Sequence, residues 1–480
     1  MRDITIYVAA RAFPAALTLA SLALLTRYLS PADFGRYSLA ISLAGFVNVV
    51  LMSWNLQAFY RFHPIYRGRR AALLRNATVA GFLISAAIGV LVVMPLIPLF
   101  ARDWGWGYAL ATVALTPGLA GLELMSYRLN TAAKPVGYFA LQLARTVGNL
   151  VAGGLVAYLT NSLVLVLLSI AGWWSLTALF AGLGSWIARL EVAAEHRRMI
   201  RQMLAYGLPL TAASALISAV GTLDRFMLEA LTNSRTVGEF AAGMDLVQFC
   251  LGAMGSAISL AAYPGLMAAF SRDGEELKPR LERYSSVQIA VILPLAVGFA
   301  LAAEPLSKVF VGQGLQPQAA AVIPWASAAI FLGVLKGFYL DLSFQLARWT
   351  VGSTLVAGIM VVIVAVLNFL LIPLRGSVGT AQASLGGFAV AAVLSYVLGS
   401  RHAVVMPFCV PDLVKLAIAG AAMALAMASV TASSPLPALL VKGLAGGVAY
   451  VVILIATDPF EVRKTARVIF SRAAAAGRDA

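Results

Sequence analysis

The chain has 480 residues, 61% of them hydrophobic and only 11% charged, and its 35 Lys and Arg against 20 Asp and Glu leave a net charge of +15. Soluble domains carry about 25% charged residues because a folded surface must be hydrated, so a large water-soluble enzyme is excluded and lipid is the expected solvent. Nucleic-acid binding is excluded as well, because the bases are scattered along the chain and not gathered on one soluble face.

At about 20 apolar residues per membrane span, the chain divides into fourteen apolar runs, which predict an all-α integral membrane protein. The first, near residues 5 to 27, carries Arg11 and Pro14 and has no small-residue cleavage pattern, so it reads as a helix and not a signal peptide. The second, 37 to 59, holds the amides Asn48, Asn55 and Gln57; the third is 77 to 100, and the fourth, 107 to 127, holds Glu123. Gln142, Arg145 and Asn149 fall in the fifth, 138 to 159, and the pair Trp173 and Trp174 in the sixth, 163 to 187. The seventh, 206 to 231, contains Asp224 and Arg225, and the eighth, 239 to 268, contains Asp245 and Gln248. The runs 286 to 304, 321 to 344 with Lys336 and Asp341, 350 to 373, 384 to 400, 412 to 431 and 438 to 457 complete the set.

With the N-terminus inside, most of the 35 bases fall in cytoplasmic connections, from Arg61, Arg67, Arg69, Arg70 and Arg75 to the basic tail after Arg463. Positive loops resist translocation, so both termini are expected in the cytoplasm of a bacterial inner-membrane protein. Two longer inside segments, 189 to 205 and 271 to 285, read as amphipathic surface helices that clip to anionic headgroups. The longest outside segment, about 305 to 320, is too short for a folded catalytic lid, which argues against a polysaccharide polymerase or ligase. Cys250 and Cys409 form no CxxC, and His63, His196 and His402 lie in basic connections, so no metal site or cofactor is expected.

One internal repeat is visible. Leu24-Leu-Thr-Arg-Tyr-Leu-Ser-Pro-Ala-Asp-Phe-Gly35-Arg-Tyr37 aligns without gaps against Met227-Leu-Glu-Ala-Leu-Thr-Asn-Ser-Arg-Thr-Val-Gly238-Glu-Phe240. An even number of helices separates the copies, so the repeat is parallel and predicts two six-helix lobes about an axis along the membrane normal, with a cavity between them. The expected division is 1–205, 206–402, and a remainder, 403–480, with two further helices and a basic tail.

The first copy, together with Leu223-Asp-Arg-Phe-Met-Leu, Val237-Gly-Glu-Phe and Pro294-Leu-Ala-Val-Gly-Phe-Ala-Leu-Ala-Ala-Glu-Pro-Leu-Ser-Lys-Val-Phe, resembles the Wzx-like polysaccharide flippases of the multidrug/oligosaccharidyl-lipid/polysaccharide (MOP) exporter superfamily. The resemblance spans roughly residues 1 to 400. It implies alternating access that moves an undecaprenyl-diphosphate-linked oligosaccharide to the outer leaflet for O-antigen, exopolysaccharide or capsule synthesis, with a polymerase and chain-length machinery as partners. A lipid II flippase or a cation-coupled drug antiporter of the same superfamily are the alternatives.

A charge at the centre of a membrane helix costs about 2.5 to 3.5 kcal/mol on insertion scales, so each one needs a reason. Arg11, Arg145, Arg225 and Lys336 are the four candidates to hold a diphosphate, with Asn149 as a candidate contact to sugar. Structural ion pairing competes with that role, because Glu229 follows Arg225 by four positions and Asp341 follows Lys336 by five. Glu123, Asp224, Asp245 and Asp341 are candidates to couple transport to H⁺ or Na⁺.

Overall fold

A computed structural model of the chain describes residue 14 and residues 17–100, 104–132, 134–190, 195–271, 277–430 and 434–458. Arg11, one of the four candidate cations, lies outside the described residues. Regular structure among the described residues is entirely helical, as hydrocarbon demands of a chain that must satisfy its own backbone hydrogen bonds.

Among the described residues, twelve helical segments are long and apolar enough to cross a membrane. In chain order the helices are α1 (Leu17–Tyr28), α2 (Pro31–Phe62), α3 (Gly68–Phe100), α4 (Gly105–Thr131), α5 (Pro135–Thr160), α6 (Leu163–Ala188), α7 (Glu195–Leu231), α8 (Ser234–Ser271), α9 (Leu277–Leu301) and α10 (Gln316–Leu346). The 53-residue segment Thr350–His402 breaks at Gly376, whose φ of 53° is open to glycine, giving α11 (350–375) and α12 (377–402). Then follow α13 (Val410–Ala428) and α14 (Pro435–Thr457).

The helices form two six-helix lobes, α1–α6 and α7–α12, with α13 and α14 paired and docked on α9. The main seam between lobes is α2 against α7 and α8. One face of the bundle gathers the basic connections; the other carries the short loops after α1, α7 and α9. On that second face the two repeat copies meet. A methyl group at Gly35 would overlap the Ser234 carbonyl oxygen, and one at Gly238 would overlap the Pro31 carbonyl oxygen. Pro31 and Ser234 occupy equivalent positions in the repeat, as do Gly35 and Gly238, so the contact is reciprocal about the pseudo-two-fold axis. Gly312, after α9, packs as closely on the Thr26 backbone at the end of α1, where its N–H donates to Thr26 Oγ1 at 3.0 Å.

Three expectations about boundaries need correction. Helix α2 starts at Pro31 and not near 37, because Ser30 is an N-cap whose Oγ accepts from the Asp33 N–H at 3.1 Å and Pro31 suits the first helical position. The segment 195–205 is no separate surface helix: nothing between Glu195 and Gly207 breaks the helical run, so α7 extends through it. The segment after α9, expected as an unstructured connection, contains a two-turn helix, Ala303–Phe310, before α10 begins.

Candidate functional site

Helix α5 presents Tyr138, Gln142, Arg145 and Asn149 at spacings of four, three and four residues, which places them on one stripe. That stripe faces the interior because α5 packs between α4 and α6. A cavity of about 300 Å³ opens beside it, lined by Gln142, Arg145 and Asn149, by Thr18 and Ser21 of α1, by Tyr37 of α2, and by Asp245 of α8. The first lobe therefore builds most of this cavity, and α8 of the second lobe closes it.

Arg145 has no carboxylate within 4.0 Å among the described residues. Its guanidinium lies over the Trp174 ring at 5.6 Å from the centroid, an arrangement that holds the cation without neutralising it. Trp174, only 2% exposed, donates its indole N–H to Asn149 Oδ1 at 2.7 Å, which fixes both partners. Asn149 also opens a π-helical segment, Asn149–Gly153, an irregularity that re-aims side chains on either side of it. Glu123 on α4 is within electrostatic reach of Arg145, and its carboxylate accepts from Asn48 Nδ2 at 2.5 Å.

The other cations sit differently. Arg225 donates to Asp245 Oδ1 at 2.5 Å, to Ser38 Oγ at 2.8 Å and to the Gly221 carbonyl at 2.8 Å, so it ties α7 to α8 and α2 at the seam. Asp245, its partner, comes from twenty residues away on the next helix, which a reading of near neighbours such as Glu229 does not find. Glu229 instead accepts from Ser234 Oγ at 2.9 Å. Lys336 is 4% exposed, away from the cavity, with Nζ 2.8 Å from Asp341 Oδ2. They are five positions apart, and the π-helical turn Lys336–Leu340 brings both to one side of α10. Ser395 Oγ donates to Asp341 Oδ1 at 2.8 Å and completes the carboxylate's partners.

Asp224 is buried with two neutral donors, Asn368 Nδ2 at 2.7 Å and Ser384 Oγ at 2.6 Å, from α11 and α12. Among the described residues it has no ion-pair partner. The structure thus sorts the candidates into one cavity cation without an ion pair, two paired cations and two carboxylates held by amides and hydroxyls. Thr18, Ser21, Tyr37 and Trp174 also line the cavity, and none of them is a candidate from the sequence. Their polar ends carry no charge to mark them in a sequence.

The buried Lys336–Asp341 pair gives a stability prediction. Lys336→Met alone strands the Asp341 carboxylate and should cost about 3–5 kcal/mol, whereas Lys336→Met with Asp341→Leu should recover most of it. Thermal unfolding of the purified variants in detergent checks this, and equal losses in both would contradict it.

This is the fold of a polytopic helical membrane protein with a cavity at the junction of its helical lobes. The chain belongs to the family described as polysaccharide biosynthesis protein, whose model matches residues 24–319. Among curated proteins none matches it in sequence. Among solved structures it is similar to one described as lipid II flippase MurJ in an inward closed conformation, at TM-score 0.78 and 14% identity, covering 94% of this chain and 98% of that one. It is also similar to an inward-facing multidrug resistance MATE family transporter of the MOP superfamily, at TM-score 0.62 and 14% identity, covering 83% and 97% of the two chains. A MOP superfamily transporter from Pyrococcus furiosus follows at TM-score 0.52 and 15% identity, covering 83% of this chain and 97% of that one.

Proposed function

We propose that the protein is a flippase that carries an undecaprenyl-diphosphate-linked oligosaccharide from the inner to the outer leaflet of a bacterial cytoplasmic membrane. It would act by alternating access and serve O-antigen, exopolysaccharide or capsule synthesis, with no chemistry performed on the substrate. The observation that carries this reading is Arg145, a cation that faces the cavity without an ion pair. Such a guanidinium offers a planar fork of donors to phosphate oxygens. Gln142, Asn149, Thr18 and Ser21 add donors and acceptors for the phosphates and first sugar, while the polyprenyl tail stays in lipid. A carrier of cationic drugs would favour the opposite charge at this position.

In this reading the basic face is cytoplasmic, both termini lie there, and a polymerase receives the product outside. Arg225, held by Asp245, serves as a link between lobes through Ser38, and Lys336 with Asp341 as a buried brace. Glu123 and Asp224, the candidate carboxylates without an ion pair, are the proposed stations for a coupling H⁺ or Na⁺. Deletion of the gene is expected to leave lipid-linked oligosaccharide on the inner leaflet and to remove surface polymer, both restored by the wild-type chain. Unchanged polymer in the deletion strain would overturn the assignment.

A further inference from the structure

A second cavity, of about 530 Å³, lies at the basic face, and its lining differs from that of the first. Tyr60 comes from the last turns of α2, Tyr127 from the end of α4, Tyr138 from the start of α5 and Tyr206 from α7. Gln57, one turn before Tyr60 on α2, and Arg61, the residue after it, complete the set used here. Tyrosines that anchor a protein at the membrane interface lie around its perimeter. These four converge from four helices on one concavity. Tyr60 and Tyr127 stand edge to face, with centroids 6.0 Å apart and an interplanar angle of 86°. Phe62 packs on Tyr206 at 5.6 Å and holds that ring in place. Tyr60 is 51% exposed and Tyr206 39% exposed, and both line the cavity.

An aromatic ring face is electron-rich and attracts the polarised C–H groups on the flat face of a pyranose, while phenol and amide groups exchange hydrogen bonds with its hydroxyls. Open rings combined with a few polar groups therefore fit a carbohydrate better than an alkyl chain or a compact anion. The α5 stripe joins the two cavities: Tyr138 lies seven residues from Arg145, about 10 Å along the helix axis. That is the length of roughly two sugar rings.

We infer that this vestibule is a glycan subsite, which takes the sugar rings of the lipid-linked headgroup while its diphosphate sits at Arg145. The inference rests on the flippase reading and adds to it a place where the oligosaccharide itself is recognised before the lobes rearrange.

The test uses the full chain in nanodiscs and two probes, applied separately. One is the oligosaccharide released by mild acid from the producing cell's own lipid-linked pool, followed by saturation-transfer NMR; the other is inorganic pyrophosphate, followed by calorimetry. Sugar ring protons are expected to receive saturation from the wild-type protein. Tyr60→Ala with Tyr127→Ala should weaken oligosaccharide binding about ten-fold and leave pyrophosphate binding unchanged. Tyr60→Phe with Tyr127→Phe, which keeps the ring faces and the packing, should retain most of it, and Arg145→Ala should show the reverse pattern. Pyrophosphate binding without any sugar signal, or a sugar signal that survives the alanine variants, overturns the subsite and leaves the phosphate site standing. Loss of both probes from the wild-type protein overturns the flippase reading along with it.

Discussion

Arg145→Ala is expected to abolish surface polysaccharide while the protein remains in the membrane at its normal level. The guanidinium is the cavity's cation without an ion pair, and deleting its charge-assisted hydrogen bonds to a phosphate removes about 3 kcal/mol, or about a hundred-fold in occupancy. Arg145→Lys keeps the charge but loses the planar fork and its stacking on Trp174, so it should fall between wild type and alanine. Trp174→Phe should act through Arg145 and Asn149 by releasing the bond at Asn149 Oδ1, and its effect should be smaller than that of either arginine variant. Quantified surface polymer, set against immunoblots of the membrane fraction, ranks the four proteins. Full polymer from Arg145→Ala would remove the phosphate site from the account.

Gly35→Val is the second change with a large expected effect, and it acts on the other end of the molecule. The two repeat copies seal the face opposite the basic loops by placing Gly35 against Ser234 and Gly238 against Pro31. A branched side chain at Gly35 cannot fit against a backbone carbonyl, so the seal must part. Overpacking of this kind costs about 1–3 kcal/mol, enough to shift a conformational equilibrium about ten-fold or more. With Cys250 and Cys409 replaced by Ser, and Tyr37→Cys as a reporter in the cavity, a membrane-impermeant maleimide added on the sealed side should label the Gly35→Val protein about ten-fold faster. Gly238→Val should behave alike, because the contact is reciprocal. Unaltered labelling together with unaltered transport would show that this contact does not close that face.

These expectations differ in how far they could be read from residues alone. The gapless repeat identified Gly35 and Gly238 as equivalent, and the even number of intervening helices predicted parallel lobes; that the two glycines touch is a consequence of the axis they share. The α5 stripe was legible too, since Gln142, Arg145 and Asn149 fall at helical spacing within one apolar run. Lys336 and Asp341 lie close in sequence, although only a π-helical turn brings residues five apart to the same side. The partner of Arg225 was not legible. It depends on how α7 and α8 rotate against each other, and near neighbours in sequence, Asp224 and Glu229, turn instead to Asn368, Ser384 and Ser234. For the same reason the four vestibule tyrosines were invisible as a group: they belong to four helices, each with an ordinary interfacial aromatic, and lateral packing alone brings them together. Helix ends moved where local capping overrode hydropathy, as at Ser30 and Pro31.

The central claim is that a diphosphate-linked headgroup crosses the membrane through the cavity at Arg145. It is tested most directly by reconstituting the purified chain in proteoliposomes that contain a fluorescent polyprenyl-diphosphate oligosaccharide and measuring how much of that lipid becomes accessible on the other leaflet. Wild-type protein is predicted to equilibrate the lipid between leaflets, and Arg145→Ala protein is predicted to leave it where it was placed. Equal transfer by both proteins would contradict the account.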